Sequence, residues 1–244
     1  MNKIAIIAKR DLREIIQSKG IYFGLAILPI IYIPLIIAFG DLIKQIDDGD
    51  MAIAASKVPL ATLAITLSFM SMMTFCMILS GYSVLMEKIK RSMESLLATP
   101  LTTRQIWVGK AIAIFVPSVV LGMVLTIGAI VAANVIYVLP KTDRFVAPPA
   151  SSLVVCLISI PAIVFSLVCV ITILQFVLSN ARVVNALFMG IIFGVGFGLT
   201  GTSIDLTSWK FTLISVAFIA VLAVFTLLLS RLMSTERIVL TSKG

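Results

Sequence analysis

The chain has 244 residues, of which 60 % are hydrophobic and only 12 % are charged. Soluble domains carry about 25 % charged residues, so this composition excludes an ordinary soluble protein and indicates an integral membrane protein. The formal net charge of +8 requires no nucleic-acid partner, because a basic cytoplasmic surface beside anionic membrane lipid accounts for it.

The N-terminal residues predict an amphipathic helix, and we expect segment 1–19 to lie in the membrane interface. Apolar side chains recur there at helical spacing, and basic and polar side chains occupy the other side of the helix. The apolar positions are Ile4, Ala8, Leu12, Ile15 and Ile16, and the polar positions are Lys3, Arg10, Arg13, Glu14 and Gln17.

Six intervals without Asp, Glu, Lys or Arg follow, each long enough to supply the ~20 residues that cross a bilayer. They predict transmembrane helices at about 21–40, 59–85, 108–139, 152–178, 183–200 and 210–231. Short alternating strands of the barrel type are absent from the sequence, so we predict an all-α membrane protein of six transmembrane helices. Since no long linker divides the chain, residues 1–244 are predicted to form a single transmembrane domain.

The distribution of Lys and Arg predicts that both termini are cytoplasmic. In this orientation 14 of the 19 basic residues lie on the inner side and five lie on the outer side. The loop at 40–58, which is rich in Asp, suits the outer face. The chain is therefore predicted to be a multi-pass protein with cytoplasmic ends.

Several residues within or beside the spans carry structural predictions. Prolines inside a helix favour a kink, and cysteines at unrelated spacing inside spans favour buried apolar packing over disulfides or metal binding. The prolines are Pro29, Pro34, Pro117 and Pro161, and the cysteines are Cys76, Cys156 and Cys169. Trp107 and Trp209, which precede the third and sixth spans, are expected at the membrane interface.

The fifth span carries glycines one helical turn apart, which predict a face where another helix approaches closely. These helix-packing residues are Gly190, Gly194 and Gly198.

The absence of certain residue types limits the chemistry that the chain can perform. The sequence has no His, which excludes a Ser-His-Asp triad and His-based zinc sites. The six uncharged intervals offer no carboxylate, Lys or Arg inside the membrane, where proton-driven carriers usually have such residues. A proton-driven carrier is therefore disfavoured. The sequence also lacks a phosphate-binding Gly-x-x-x-x-Gly-Lys-Ser/Thr loop. We therefore predict that the chain is not an enzyme, binds no cofactor or metal, and depends on another chain for any ATP hydrolysis.

A charged segment at 86–107 separates the second and third spans. Apolar residues recur at helical spacing from Leu85 to Leu97, and opposite charges four residues apart, such as Glu87 with Arg91, support an exposed helix. Pro100 ends that helix. The run Thr102-Thr103-Arg104-Gln105 then predicts a capping box at the start of the next helix.

These residues resemble a known family. Glu87, Glu94-x-Leu96-Leu97-Ala98-Thr99-Pro100-Leu101-Thr102, Gln105-Ile106 and Gly109-Lys110 are similar to the loop between spans 2 and 3 of ABC-2 type transporter permeases, the membrane subunits of type V-like ABC exporters. The amphipathic N-terminal helix, six spans and cytoplasmic ends resemble that family over the whole chain. Members often have Glu at the position of Ile89 and Gly at that of Arg91, so this chain departs from the pattern at both positions.

The resemblance implies a permease of the prokaryotic cell membrane that pairs with a second copy or a paralogue and binds two cytoplasmic ABC ATPase subunits. ATP and Mg²⁺ would bind to those partners, and the segment at 86–107 would act as a coupling helix. The residues predicted to contact the ATPase and to transmit its motion are Glu87, Arg91, Glu94, Leu97, Thr99 and Pro100.

Two other functions fit the same sequence. One is a self-contained six-helix secondary transporter or channel, and the other is an anchoring protein that binds a cytoplasmic partner without moving a substrate. The anchoring protein would bind its partner through the same 86–107 loop. A separate interpretation is that the charges at 86–107 only solvate an inner loop. Uncharged polar residues of the spans, such as Asn134 and Gln175, fit amphipathic or lipid-like cargo only weakly.

Overall fold

The computed structural model of the chain describes residues 3–17, 19–44, 50–81, 83, 102–178, 181–201 and 205–230. All regular secondary structure within these ranges is helical, and none of it is strand. The predicted all-α class is therefore confirmed for this part of the chain.

The α-helices of the described residues are numbered here in chain order. They are α1 (Lys3–Ile16), α2 (Lys19–Lys44), α3 (Asp50–Ser80), α4 (Thr103–Ala133), α5 (Leu139–Thr142), α6 (Ala150–Val154), α7 (Ile160–Val177), α8 (Ala181–Gly201) and α9 (Trp209–Ser230). Two π-helical turns each join two of these α-helices into one longer continuous helix. Asn134–Val138 joins α4 to α5, and Val155–Ser159 joins α6 to α7.

Four helical stretches in the described part of the chain are long and apolar enough to cross a membrane. They are Ala55–Ser80, Arg104–Thr142, Ala150–Val177 and Trp209–Ser230, and they coincide with the second, third, fourth and sixth predicted spans. Shorter apolar stretches, Tyr32–Ile43 and Val183–Gly196, fall in the first and fifth. The count of six spans stays a prediction.

The helices flanking the predicted outer loop at 40–58 extend further than the sequence suggested. α2 continues to Lys44, and α3 already begins at Asp50. Charged side chains mark the end of the apolar surface, but the helical backbone keeps its own hydrogen bonds beyond that point. The charge pattern therefore located the spans without locating the helix ends.

α3 is the central helix of the bundle, and it packs against α2, α4, α7 and α8. In α3, 89 % of the apolar stretch is buried, whereas in α9 the buried share is 11 %. A helix that is apolar on all sides is stable only in the middle of such an arrangement or in lipid. The outward side chains of α9 are thus placed to meet the acyl chains of a membrane.

Each π-helical turn ends two residues before a proline. Asn134–Val138 precedes Pro140, and Val155–Ser159 precedes Pro161. Proline lacks an N–H group, and its ring collides with the carbonyl four residues earlier, so a wider turn relieves the collision. The predicted distortion at Pro161 takes this form, whereas α4 continues as an α-helix through Pro117.

The three cysteines are free and buried. Cys76, Cys156 and Cys169 pack among apolar side chains of the main buried cluster. The prediction that they act as small apolar residues is confirmed.

Candidate functional site

The coupling residues predicted from the sequence lie outside the described residues. They are Glu87, Arg91, Glu94, Leu97, Thr99 and Pro100. The structure does describe the residues on either side, where α3 ends at Ser80 and α4 begins at Thr103. We call this end of the bundle, which also holds α1, the end of α7 and the start of α8, the junction end.

A buried ion pair joins α1 to α4 at the junction end. The Lys110 Nζ atom lies 3.0 Å from Oδ2 of Asp11, and the two side chains are 0 % and 2 % exposed. The exposed guanidinium of Arg10 contacts the other carboxylate oxygen of Asp11 at 2.9 Å. Each buried charge costs several kcal/mol to remove from water, so the pair is stable only while both members are present.

The surface of α1 explains how Asp11 becomes buried. Ile7, Asp11 and Ile15 are spaced four residues apart, so they lie along one face of the helix, and all three are buried. The predicted apolar stripe included Ile15 but missed Ile7 and Asp11, and it also included Ile16, which is exposed. The sequence did contain a signal for this buried face. Asp11 is a single acidic residue with an apolar residue one helical turn before it and another one turn after it.

Gly109 allows α1 to lie directly on α4. A Cβ atom added at Gly109 would be 2.9 Å from Cγ2 of Ile7 and 3.5 Å from the carbonyl oxygen of Ile4. Any larger residue would therefore push the two helices apart. Gly109 and Lys110, which the family resemblance grouped together, thus supply the close approach and the charge of the same contact.

The start of α4 is fixed by the predicted capping box. The Thr102 hydroxyl accepts a hydrogen bond from the Gln105 N–H at 3.3 Å, and the Gln105 side chain accepts one from the Thr102 N–H at 3.2 Å. This prediction is confirmed. The cap lies about two helical turns before Lys110, so the cap and the ion pair act on the same short stretch of α4.

The two tryptophans occupy different surroundings. Trp209 is 61 % exposed, which is compatible with the expected position at a membrane interface, but Trp107 is only 6 % exposed. Trp107 belongs to the same buried cluster as Ile15. The prediction of an interfacial Trp107 is wrong, because α1 covers that side of α4.

A second polar cluster links three helices at the junction end. The Ser80 hydroxyl of α3 donates to the Gln175 side-chain oxygen of α7 at 2.7 Å. The Gln175 amide then donates to the Asn185 side-chain oxygen of α8 at 2.6 Å. Ser80 and Gln175 are each 1 % exposed. We call Ser80, Gln175 and Asn185 the amide chain.

The amide chain lies directly against the end of α3. A Cβ atom added at Gly81 would be 3.1 Å from the Asn185 side-chain nitrogen. The absence of a side chain at Gly81 therefore makes space for the Asn185 side chain. The end of α3 therefore lies beside the amide chain, and the start of α4 carries the cap and leads to the ion pair; these are the two attachment points of the predicted 86–107 segment. Both of its attachment points are held by hydrogen-bonded polar groups.

The predicted helix-packing glycines of α8 do not contact the rest of the chain in the described structure. No heavy atom lies within 4 Å of a Cβ position at Gly190, Gly194 or Gly198. Gly196 instead packs on α3, where an added Cβ would be 2.7 Å from Sδ of Met70. Packing of the predicted glycine face against a second copy stays a prediction.

The opposite end of the bundle is held by Asn134, which is fully buried in the first π-helical turn. Its side-chain oxygen accepts from the Val146 N–H at 3.0 Å, and its amide donates to the Ile130 carbonyl at 3.0 Å. Both amides that the sequence offered as cargo contacts, Asn134 and Gln175, therefore form hydrogen bonds within the protein.

The turn before α9 closes the same end. The Ser151 and Ser152 hydroxyls donate to the carbonyl groups of Thr207 and Leu206. The Thr207 hydroxyl and N–H both donate to the Asp205 carboxylate, which lowers the pKa of Asp205 below its ordinary value. These contacts tie the start of the fourth predicted span to the start of the sixth.

The described residues thus form a helical protein with four helices long and apolar enough to cross a membrane, which is the character of a membrane protein. Within the described ranges no group of three His, Cys, Asp or Glu residues is placed to hold a metal ion. Comparison with family models, with characterised proteins and with solved structures gives no match. A functional assignment therefore depends on the chain's own residues.

Proposed function

We propose that the chain is the membrane-spanning permease subunit of an ABC transporter of the ABC-2 type. In this proposal it is an exporter that forms its translocation path as a dimer, and two separate cytoplasmic ATPase subunits drive it. The sequence supports the need for a partner, because it contains no phosphate-binding loop of its own.

The observation that carries the proposal is the buried Asp11–Lys110 pair beside the predicted coupling segment. A segment that transmits force must be attached to elements that move with it, since a loose attachment would absorb the displacement. At its second attachment point the segment meets a capped helix that is bonded to α1 through two buried charges. Motion of the segment would then move α1 and α4 together.

The first attachment point would bring the same force to other helices. The amide chain links the end of α3 to α7 and α8, so displacement of the segment would act on the contact among these three helices. In the proposed cycle, closure of the ATPase subunits presses on Glu87, Arg91 and Glu94. The helices attached at both ends of the segment then rearrange around the path.

Reconstitution tests the need for a partner. The purified chain is placed in liposomes alone or with the ABC ATPase that co-purifies with it, and flux of candidate amphipathic substrates is measured with ATP or with an ion gradient. The proposal expects flux only with the ATPase and ATP. Flux driven by an ion gradient in the chain alone would establish the secondary transporter or channel instead.

Charge reversal tests the coupling residues. The double variant Glu87→Lys/Glu94→Lys should reduce recovery of the ATPase with the permease, or leave the complex intact while ATP hydrolysis no longer responds to substrate. The matched control is Asp47→Lys/Asp48→Lys, which makes the same charge change in the predicted outer loop. Equal ATPase recovery and equal coupling in the two variants would remove the proposed role of 86–107.

A further inference from the structure

The amide chain differs in its chemistry from the Asp11–Lys110 pair, the other link between helices described above at the junction end. Its three members, Ser80, Gln175 and Asn185, are uncharged, and they come from three different helices. Both donors point in the same direction, from α3 through α7 to α8, so the bonds polarise one another. Gln175 is the central member, because its oxygen accepts the first bond and its nitrogen donates the second.

The chemistry of the amide chain suits a contact that opens and closes. A buried ion pair such as Asp11 with Lys110 is costly to separate, since two charges inside the protein would lose their attraction for each other. Hydrogen bonds between neutral side chains of membrane helices are much weaker, because the separated groups find other partners easily. Of the two polar clusters, the ion pair is therefore the fixed one and the amide chain is the reversible one.

The position of the amide chain shows what its opening would expose. Cys76 lies one turn before Ser80 on α3, and it is completely buried in the main apolar cluster. Ser80 and Gln175 are also buried, so the amide chain lies one helical turn nearer than Cys76 to the end of α3. Separation of α7 and α8 from α3 at this level would admit water toward Cys76.

We propose that Ser80, Gln175 and Asn185 form a latch that holds the junction ends of α3, α7 and α8 together, with Gln175 as its positioning residue. The latch is closed in this structure and opens during transport. The transport step of this inference rests on the proposed permease function, but the latch itself is a property of the single chain. The two can therefore fail separately.

Cys76 provides a natural probe of the latch. In a Cys156→Ala/Cys169→Ala background, full-length protein in membrane vesicles is treated with a water-soluble maleimide that reaches the junction end, and the rate of Cys76 labelling is measured. The latch predicts slow labelling. Gln175→Met, which removes both hydrogen bonds at similar side-chain volume, should raise the rate about tenfold, the ratio expected for two hydrogen bonds of the strength measured between membrane helices.

The matched control is Thr172→Val on the same helix. Thr172 is fully buried, and its hydroxyl donates only to the Val168 and Cys169 carbonyls of its own helix. Its replacement therefore removes a buried polar group without cutting a link between helices. Labelling of Cys76 at the same rate in Gln175→Met and Thr172→Val would overturn the latch.

Asn185→Leu provides a second variant if Gln175→Met fails to fold by circular dichroism and gel filtration. It removes only the bond to α8, so labelling should rise about threefold, and a rate equal to that of Thr172→Val would again overturn the latch. ATP turnover by the complete complex should raise Cys76 labelling in the otherwise unmutated protein. If the chain proves to have no ATPase partner, the labelling comparison between variants still decides whether the latch exists.

Discussion

Lys110 of α4 donates a hydrogen bond of 3.0 Å to Asp11 of α1, and neither side chain reaches solvent. The N-terminal helix is therefore part of the packed bundle at the junction end. Its basic outward face, which carries the exposed residues Lys9, Arg10 and Arg13, remains available to anionic lipid. The helix that was predicted to lie in the membrane interface is thus a structural partner of α4; its position in the interface stays a prediction.

Removal of one member of this pair should be strongly destabilising. Asp11→Leu and Lys110→Met each remove one of the two opposite charges of the buried pair, and we expect each to lower the free energy of unfolding by about 3–5 kcal/mol. Reversible unfolding in mixed micelles, followed by circular dichroism, measures the change. The double variant Asp11→Leu/Lys110→Met should recover most of the loss, because an apolar pair of similar volume needs no compensation.

Arg10→Gln is the control for this series, because Arg10 contacts the same carboxylate from an exposed position. Its replacement should change the free energy of unfolding by less than about 1 kcal/mol. A double variant as unstable as the sum of the two single variants would contradict the coupling between Asp11 and Lys110.

The contact between α3 and α4 depends on Gly122. A Cβ atom there would be 2.5 Å from Cγ of Met72 and 3.0 Å from its backbone nitrogen, so Gly122→Ala should cost about 1–3 kcal/mol through overpacking. Gly128 lies on the same helix with open space at its Cβ position, and Gly128→Ala should be neutral or stabilising by up to about 1 kcal/mol. Thermal unfolding of the two variants in the same detergent measures the difference, and equal midpoints would refute the predicted close approach.

Local features of this fold could be read from the sequence because each depends on neighbouring residues. The apolar runs located four helices long enough to cross a membrane, and the Thr102–Gln105 capping box follows from four consecutive residues. Asp11 and Lys110 are 99 residues apart, and Ser80 and Gln175 are 95 apart. Periodicity gives the face of a helix but not the helix that covers it, so neither pairing was predictable.

The glycines of α8 illustrate the same limit. Spacing by four places Gly190, Gly194 and Gly198 along one face, whereas Gly196 lies on the far side of the helix. The spacing of the glycines favoured the series of three as the packing face, but Gly196 is the glycine that packs against Met70. A single glycine at a crossing point leaves no periodic signal, and only the packed structure distinguishes it.

The two faces of α8 should respond differently to a larger side chain. Gly196→Leu collides with Met70 inside the chain, and we expect a loss of about 1–3 kcal/mol in stability. Gly194→Leu meets open space, so it should leave the stability of the single chain unchanged. If the glycine face packs against a second copy, Gly194→Leu should lower the dimer fraction measured by single-molecule photobleaching in liposomes. An unchanged dimer fraction would exclude this face as the interface between copies.

Asn134 should control the stability of the loop at the opposite end of the bundle. Val146 is buried, and its N–H donates to the Asn134 side-chain oxygen at 3.0 Å. Asn134→Leu removes this acceptor. An unsatisfied buried donor costs about 1–3 kcal/mol, so amide exchange at Val146 should accelerate about tenfold or more. Thr142→Val is the control, because the Thr142 hydroxyl donates to Val138 and Arg144 near the surface, where water can replace it. Exchange at Val146 that is equally fast in both variants would mean that α4 and the loop are held together by packing alone, and that the Asn134 side chain contributes no bond of its own.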